Sequence, residues 1–395
     1  MQNARKLVSI AESIPCDVEL CYGRYVVNAK SMLGVLSMPE FDGGELHIHT
    51  DNEKECEKIF FQLLDQNLIM DTGDAVKRSI YDITTFGEIL IDFTSQDINE
   101  DGQMLYARNP GGAPANVAVA ASRLGAHTAF IGKAGKDMHG KFLKSVLEKE
   151  NVDTKGMLLD ENYFTTLAFV EVSETGERTF SFARKPGADT RLSFEEIDLT
   201  MIDEASVFHF GTLSLTDDPV RTATKKCVEY AKEHGKLITF DPNLRLPLWE
   251  TTDAAKEQIL WGLAHADVVK ISDEEVEFLW GITDEKEAAK KLLDEFGIRL
   301  AMITMGPKGA YLANQNGAAY AKCPEVKPID TTGAGDIFGG SAVSRLLKAG
   351  KAPEEFSTEE LGFIGQFACT AASISTTQSG GIPSIPEEAA VLDRM

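Results

Sequence analysis

From Tyr81 to the C-terminus, short apolar runs alternate with segments of helical period, and this alternation constrains the fold more than any other feature. ITTFGEILIDF, TAFIGKAG, VFHFGTLSL, LITFDPN, ADVVKIS and LAMITMG read as strands. NVAVAASRLG, HGKFLKSVLEKEN, RTATKKCVEYAKEHG, EEVEFLWG and EAAKKLLDEFG read as helices between them. Strands separated by helices pair in parallel, because each helix carries the chain back across a face of the sheet. The region therefore reads as α/β, a mainly parallel sheet with helices on both faces. One stretch breaks the rhythm. Residues 165–184, TTLAFVEVSETGERTFSFAR, read as two strands around a Glu174–Gly176 turn, an antiparallel hairpin. Such a hairpin is either a lid over a site or a plain edge hairpin.

The first part of the chain has a different pattern. Residues 4–13 read as a helix, 17–21 and 24–28 as strands around a Tyr22–Gly23 turn, 30–37 as a short helix and 45–50 as a strand. Residues 52–68 form an amphipathic pattern, with Asp51 or Asn52 as N-cap and Ile59, Leu63 and Leu64 on the apolar side. Residues 70–79 are polar and without period, which marks a linker. The 395 residues thus divide into a small α+β domain, residues 1–75, and a large α/β domain, residues 80–395.

Composition excludes several classes of function. A net charge of −23, spread along the chain, is no footprint for nucleic acid or an anionic membrane. No apolar run reaches the roughly 18 residues of a membrane span, and MQNARKLVSIAES lacks the pattern of a secretory signal. Cys16, Cys21, Cys56, Cys227, Cys323 and Cys369 are scattered without metal-ligand or disulfide spacing. Reduced thiols in a cytoplasmic protein are the expectation. His47 and His49 share a strand face and read as surface histidines.

Two stretches carry chemistry. DTTGAGDIFGG, Asp330–Gly340, sets small residues at a loop-to-helix junction. Consecutive N–H groups of Gly333, Ala334 and Gly335 can there point at one spot, where a helix N-terminus favours an anion, usually phosphate. An acid beside a phosphate needs a task. Asp336 is either a general base that takes a proton from an attacking hydroxyl or a capping residue in a glycine turn. Neither a Walker A nor a GxGxxG sequence is present. The second stretch is NPGGAPANVAVAASRLG, Asn109–Gly125. Gly112 permits close approach of a ligand, and Asn116 offers a donor and an acceptor to a hydroxyl; a well-capped helix is the rival reading. Asp92 ends the strand GEILIDF, where open α/β sheets bind ligands.

Together, GGAPANVAVAASRLG and DTTGAGDIFGG resemble, in order, the two signatures of the ribokinase-like (PfkB) sugar kinases, over about four-fifths of the chain. TTLAFVEV, GERTFSFARKPGAD, VFHFGTLSL, FDPNLRLPLW and ADVVKISDEEVEFL resemble fructokinase segments. The resemblance implies a doubly wound sheet with a small β lid. It implies an ATP-dependent kinase that phosphorylates fructose to fructose 6-phosphate, with Asp336 as base and Gly333, Ala334 and Gly335 as the anion hole. Asp92, Gly112, Asn116 and Arg184 would hold the sugar, and Asn243 and Arg245 would lie near the sugar or the transferred phosphate. Glu275 matches the acid of the family's Asn-x-x-Glu motif, which acts on Mg2+ and the phosphates; Ser272 stands where the motif has Asn. Thr304, Gly306 and Gly309 resemble the loop beside the nucleotide phosphates, with adenine near Ala368–Ala372 and Gly380–Gly381. Asp330 and Thr332 would flank a monovalent cation, K+. Ala113 replaces the Lys that ribokinases carry, which argues against ribose. A homodimer through the lid is a further expectation. The alternatives are a 2-keto-3-deoxygluconate kinase or another kinase of this fold, and a non-catalytic sugar-binding regulator.

SIAESIPCDVELCYGRYVVNAKSMLGVLSM resembles the histidine-containing phosphocarrier protein of the sugar phosphotransferase system, with Ser31 at that family's regulatory serine. The phosphocarrying histidine is missing: Asn3-Ala4-Arg5 stands nearest, and no histidine precedes His47. Residues 1–75 are expected to be a degenerate regulatory or dimer-forming module with a phosphotransferase-system partner, or a module that only stabilises.

Overall fold

The alternation beyond residue 80 closes into one large sheet in the computed structural model. The structure describes residues 2–14, 16–22, 25–38, 45–49, 63, 68, 80–172 and 178–395. The chain divides into two units, Met1–Lys77 and Arg78–Met395.

In the first unit, α1 (Gln2–Glu12) precedes β1 (Asp17–Tyr22), β2 (Tyr25–Asn28), α2 (Met32–Leu36) and β3 (Glu45–His49). The strands pair antiparallel in the order β2-β1-β3. Ala11, Ile14, Val18, Leu20 and Leu63 share a small apolar core. Ser31 is the N-cap of α2 and accepts from the Gly34 N–H at 3.1 Å. The expected helix 52–68, apart from Leu63 and Leu68, lies outside the described residues, as do the linker 70–79, Gly23 and the side chains of His47 and His49.

The second unit contains β4 (Tyr81–Phe86), β5 (Leu90–Ile98), β6 (Met104–Gly111), β7 (Thr128–Gly135), β8 (Val152–Asp153), β9 (Met157–Asp160), β10 (Leu167–Val172) and β11 (Arg178–Ala183). It continues with β12 (Ala205–Gly211), β13 (Leu237–Asp241), β14 (Val268–Ser272), β15 (Leu300–Thr304), β16 (Ala310–Asn314) and β17 (Gly317–Ala321). Among the described residues the main sheet has the order β17-β16-β15-β14-β13-β12-β4-β7-β8, with β9 also on β7. Pairing is parallel from β15 through β12, β4 and β7 to β8, and antiparallel at β15-β16-β17. Helices cover both faces, so the strands are continuously apolar rather than alternating. Phe86, Phe208, Phe210 and Phe240 are buried in this core, and the rings of Phe210 and Phe240 stack at 4.7 Å.

One strand reading needs correction. ITTFGEILIDF is not a single strand: β4 ends at Phe86, Gly87 turns with φ 148°, and β5 joins a second sheet. That sheet is the lid, with four strands in the order β11-β10-β5-β6 rather than a hairpin alone. Asp92 therefore lies on a lid strand opposite Asn109, not at the carboxyl end of a main-sheet strand. The break was hidden because both strands are apolar, and an apolar run has no period that marks a change of sheet. Among the described residues no helix is long and apolar enough to cross a membrane.

Two helices carry the signature motifs, α3 (Ala113–Arg123) and, as the second, α4 (Ala334–Ala349). They pack directly on one another. A Cβ on Gly340 would lie 2.8 Å from both the Ala120 Cβ and the Val117 carbonyl oxygen. Gly340→Ala should therefore lower unfolding stability by about 1–3 kcal/mol through overpacking, read from urea midpoints at unchanged m-value.

Candidate active site

The site begins at the N-terminus of α4. Gly333 is its N-cap in the left-handed region, φ 76°, and supplies no capping side chain. Among the described residues, no carbonyl or side chain takes the N–H groups of Gly335 and Asp336. These are the orphan donors of a helix start, aimed where an anion binds. Asp336, in the same first turn, is only 7% exposed. Its Oδ2 accepts from Asn116 Nδ2 at 2.8 Å and its Oδ1 from Asn243 Nδ2 at 3.0 Å. Burial and then Asp241 push its carboxyl up to about 6, against the pull of Asn116, Lys270 and Arg245. It does not cap its own helix, so the turn-capping alternative has no bond to support it.

Asn116 comes from the first turn of α3, where Gly112 is the N-cap. With Nδ2 committed to Asp336, its buried Oδ1 has no partner. An unpaired acceptor in a dry site is costly unless a ligand donor meets it, and a hydroxyl does so. Only glycine fits beside it: a Cβ on Gly112 would come 2.5 Å from the Glu88 carbonyl oxygen, and one on Gly111 would come 2.1 Å from Asp92 Oδ2. Asp92 thus faces this turn from the lid. Asn243 is one of the non-glycine residues with positive φ, 45°, a conformation asparagine tolerates. That turn after β13 directs its amide to Asp336.

Glu275 belongs to a capping box at the helix after β14: its Oε2 accepts from Ser272 N–H at 2.9 Å, and Ser272 Oγ accepts from Glu275 N–H at 3.2 Å. Its Oε1 accepts from the Leu244 N–H at 2.8 Å, which ties the helix to the loop bearing Asn243 and Arg245. Ser272 thus performs the N-cap role as an asparagine would. Thr304 is in register with Ser272 on the adjacent strand. Gly306 and Gly309 follow at φ 53° and 109°, and a Cβ on Gly309 would meet the Ala321 oxygen at 2.0 Å. Asp330 accepts from Thr332 N–H at 2.9 Å and Gly380 N–H at 2.8 Å, clamping the 380–381 turn against Gly333 and Asn116. Ala368 and Ala371 are buried in the helix Thr358–Ser375.

Arg184 bonds to a different set of residues. Its guanidinium donates to Asp189 from Nε at 2.8 Å, to Thr216 from Nη1 at 2.8 Å and to the Leu213 carbonyl from Nη2 at 2.8 Å. It also lines a cavity of about 730 Å³ with Lys185, Arg191, Arg221 and Trp249.

The residue reading missed three functional neighbours: Glu88, Asp241 and Lys270. Glu88 is buried and its Oε1 accepts from the Ala113 N–H at 2.9 Å, capping α3 in place of the glycine N-cap. Burial pushes its carboxyl up to about 7, partly offset by backbone N–H groups and Arg184. No local signal marks it, because its helix lies 25 residues away in sequence. With a folded value above the ordinary one, its stabilising contribution is complete below about 4.5 and is lost as pH rises through about 7. Glu88→Gln keeps the acceptor and removes the titration. Its stability relative to the parent should therefore rise between pH 5 and pH 8, in paired urea denaturations.

Comparison with known proteins places the chain in a family. Residues 81–388 match the model of the pfkB family carbohydrate kinases, and residues 1–60 match that of the PTS HPr component phosphorylation site. Fructokinase-1 of Zea mays is 41% identical over 315 residues, 78% of this chain and 96% of that protein. Probable fructokinase-2 of Arabidopsis thaliana is 40% identical over 313 residues, 78% and 94% of the two chains. The structure of fructokinase from Vibrio cholerae O395 in its fructose, ADP and calcium ion bound form superposes with a TM-score of 0.72 at 33% identity, covering 80% of this chain and 99% of that one. This chain belongs to the pfkB family of carbohydrate kinases.

Proposed function

We propose that the protein transfers the γ-phosphate of ATP to fructose, giving fructose 6-phosphate. The observation that carries this reading is the buried Asp336 carboxylate, held by Asn116 and Asn243 at the start of a helix where, among the described residues, nothing takes the N–H groups of Gly335 and Asp336. Asp336 takes the proton of the sugar hydroxyl as its oxygen bonds to the γ-phosphorus and the bond to ADP breaks. Gly333 and Gly335 offer backbone donors to the phosphoryl oxygens, whereas the Ala334 N–H of the expected anion hole donates to the Thr331 carbonyl at 3.3 Å. Asn116 Oδ1 and Asp92 receive sugar hydroxyls beside Gly112, and the lid keeps water from competing as acceptor. Arg245 lends positive charge near Asp336, and Arg184 braces the end of the lid hairpin beside the sugar. Thr304, Gly306 and Gly309 line the nucleotide phosphates, and adenine lies toward Ala368–Ala372 and Gly380–Gly381.

Mg2+ fits this donor set. Among the described residues no three carboxylate, histidine or cysteine side chains converge on one point, which suits an ion bound mainly by phosphates and water. Glu275 would hold it, and when bound it neutralises charge on the transferred group. Asp330 and Thr332 would hold K+ in the same loop. Similar proteins support the sugar: the matched plant relatives are fructokinases, and one solved neighbour holds fructose and ADP. No corresponding observation favours 2-keto-3-deoxygluconate or a non-catalytic binder. We assign residues 1–75 to regulation, through a phosphotransferase-system partner, on the strength of the HPr match. We also propose a homodimer through the lid and a cytoplasmic location.

Asp336→Asn should lower kcat for ADP release with fructose by about 10²–10⁴-fold or more, while the thermal midpoint stays near the parent's. Near-parental turnover in that variant defeats the base assignment. Because the base must be ionised, activity should rise with pH through about 6 and then level off. Chelating divalent ions with EDTA should abolish turnover, and added Mg2+ should restore it.

A further inference from the structure

Behind the anion-binding turn lies a buried cation that the mechanism above does not use. Lys270, on β14, is 8% exposed. Its Nζ lies 2.9 and 3.1 Å from the two oxygens of Asp241, the last residue of β13. The pair is neutral in sum, but it is oriented. A Cβ on Gly335 would lie 3.0 Å from Lys270 Nζ and 3.6 Å from its Cε, and no Asp241 atom lies within 4 Å of that position. The ammonium, not the carboxylate, is therefore the face presented to the glycine turn.

The groups around this ammonium come from four elements. Asp241 lies on β13, Glu275 on the helix after β14, Asp336 on α4 and His209 on β12. His209 is buried against Thr239 and held neutral, its ring pushed down to about 3 by burial and by Lys270. Burial opposes the Lys270 charge, but Asp241, Glu275 and Asp336 outweigh it and hold its pKa above the ordinary value. Arg245 is the other cation acting on Asp336. Asp241, Glu275 and Asp336 thus all act on Lys270, beside the turn where a polyphosphate must also arrive. In a dry site that accumulation of negative charge needs an opposing charge nearby.

We propose that Lys270 is a charge-bearing positioning residue of the phosphoryl-transfer site: its ammonium backs the anion hole behind Gly335 and keeps Asp336 in the carboxylate form. Lys270 acts through the turn and the base. The proposal rests on the phosphoryl-transfer reading of this site.

The test compares Lys270→Met, Lys270→Arg and the double variant Lys270→Met with Asp241→Asn, in the full chain with Mg·ATP and fructose. Lys270→Met should lose at least about 10-fold in kcat and shift the acid limb of the pH–kcat profile upward by about one pH unit. Lys270→Arg should recover most of both. The double variant leaves no orphan charge, so it serves if the single variant does not fold. Its acid limb should return toward the parent's, because Asp241 and Lys270 act oppositely on Asp336, while its kcat stays low. A folded Lys270→Met with parental kcat and acid limb, or a double variant with parental kcat, overturns the proposal and leaves Lys270 as a partner for Asp241 alone. If the parent itself shows no turnover on fructose, the functional reading fails instead.

Discussion

The site depends on one buried carboxylate held between two amides. Asp336 has lost most of its water, and Asn116 and Asn243 each donate to one of its oxygens in place of that water. Those donors come from separate parts of the fold, one from the start of α3 and one from the turn after β13. The carboxylate therefore brings the first signature helix, the second signature helix and the sheet end together at one point. A hydrogen-bonded carboxylate in low dielectric is worth keeping only if all its partners are in place. The surroundings are tightly built, with α3 and α4 packed at Gly340 and no space for a Cβ at Gly112 against the Glu88 backbone.

Glycine has distinct uses here. At Gly333 it permits the left-handed N-cap that leaves donors open to a ligand. At Gly112 it lets the backbone lie against Glu88, and the capping lost by having no side chain is supplied by the Glu88 carboxyl from the turn between β4 and β5. The same economy appears at Ser272 and Glu275, where a capping box also anchors the loop that carries Asn243. The bonds that cap this helix also hold the loop next to it.

The lid is more than the hairpin of residues 165–184. β5 and β6 complete it, and β5 follows β4 through a single glycine turn. The strand that carries Asp92 is therefore continuous in sequence with the main sheet yet belongs to the lid. That connection brings Asp92 against the glycine turn at Gly111. The first unit has its own sheet and its own apolar core around Val18, Leu20 and Leu63. It carries a match to a phosphotransferase-system module over residues 1–60.

Much was legible in the sequence, and the reason is local. Parallel β-α-β architecture follows from the alternation of strand and helix, which is written in neighbouring residues. The glycine turn before Asp336 and the glycine turn before Asn116 are contiguous motifs, so their chemistry could be read without a fold. The pairing of Asp336 with Asn116, 220 residues apart, could not be derived that way. Nor could the roles of Glu88, Asp241 and Lys270, because a lysine or glutamate in an apolar strand has no local mark of what it faces. Whether such a charge is a surface group or a buried partner depends on desolvation and on neighbours from other elements. Composition and short-range pattern thus determined the class of fold and the reacting groups. Only tertiary packing decided their ionisation, their partners and which strand belongs to the lid, because burial and long-range contact are properties of the assembled sheet.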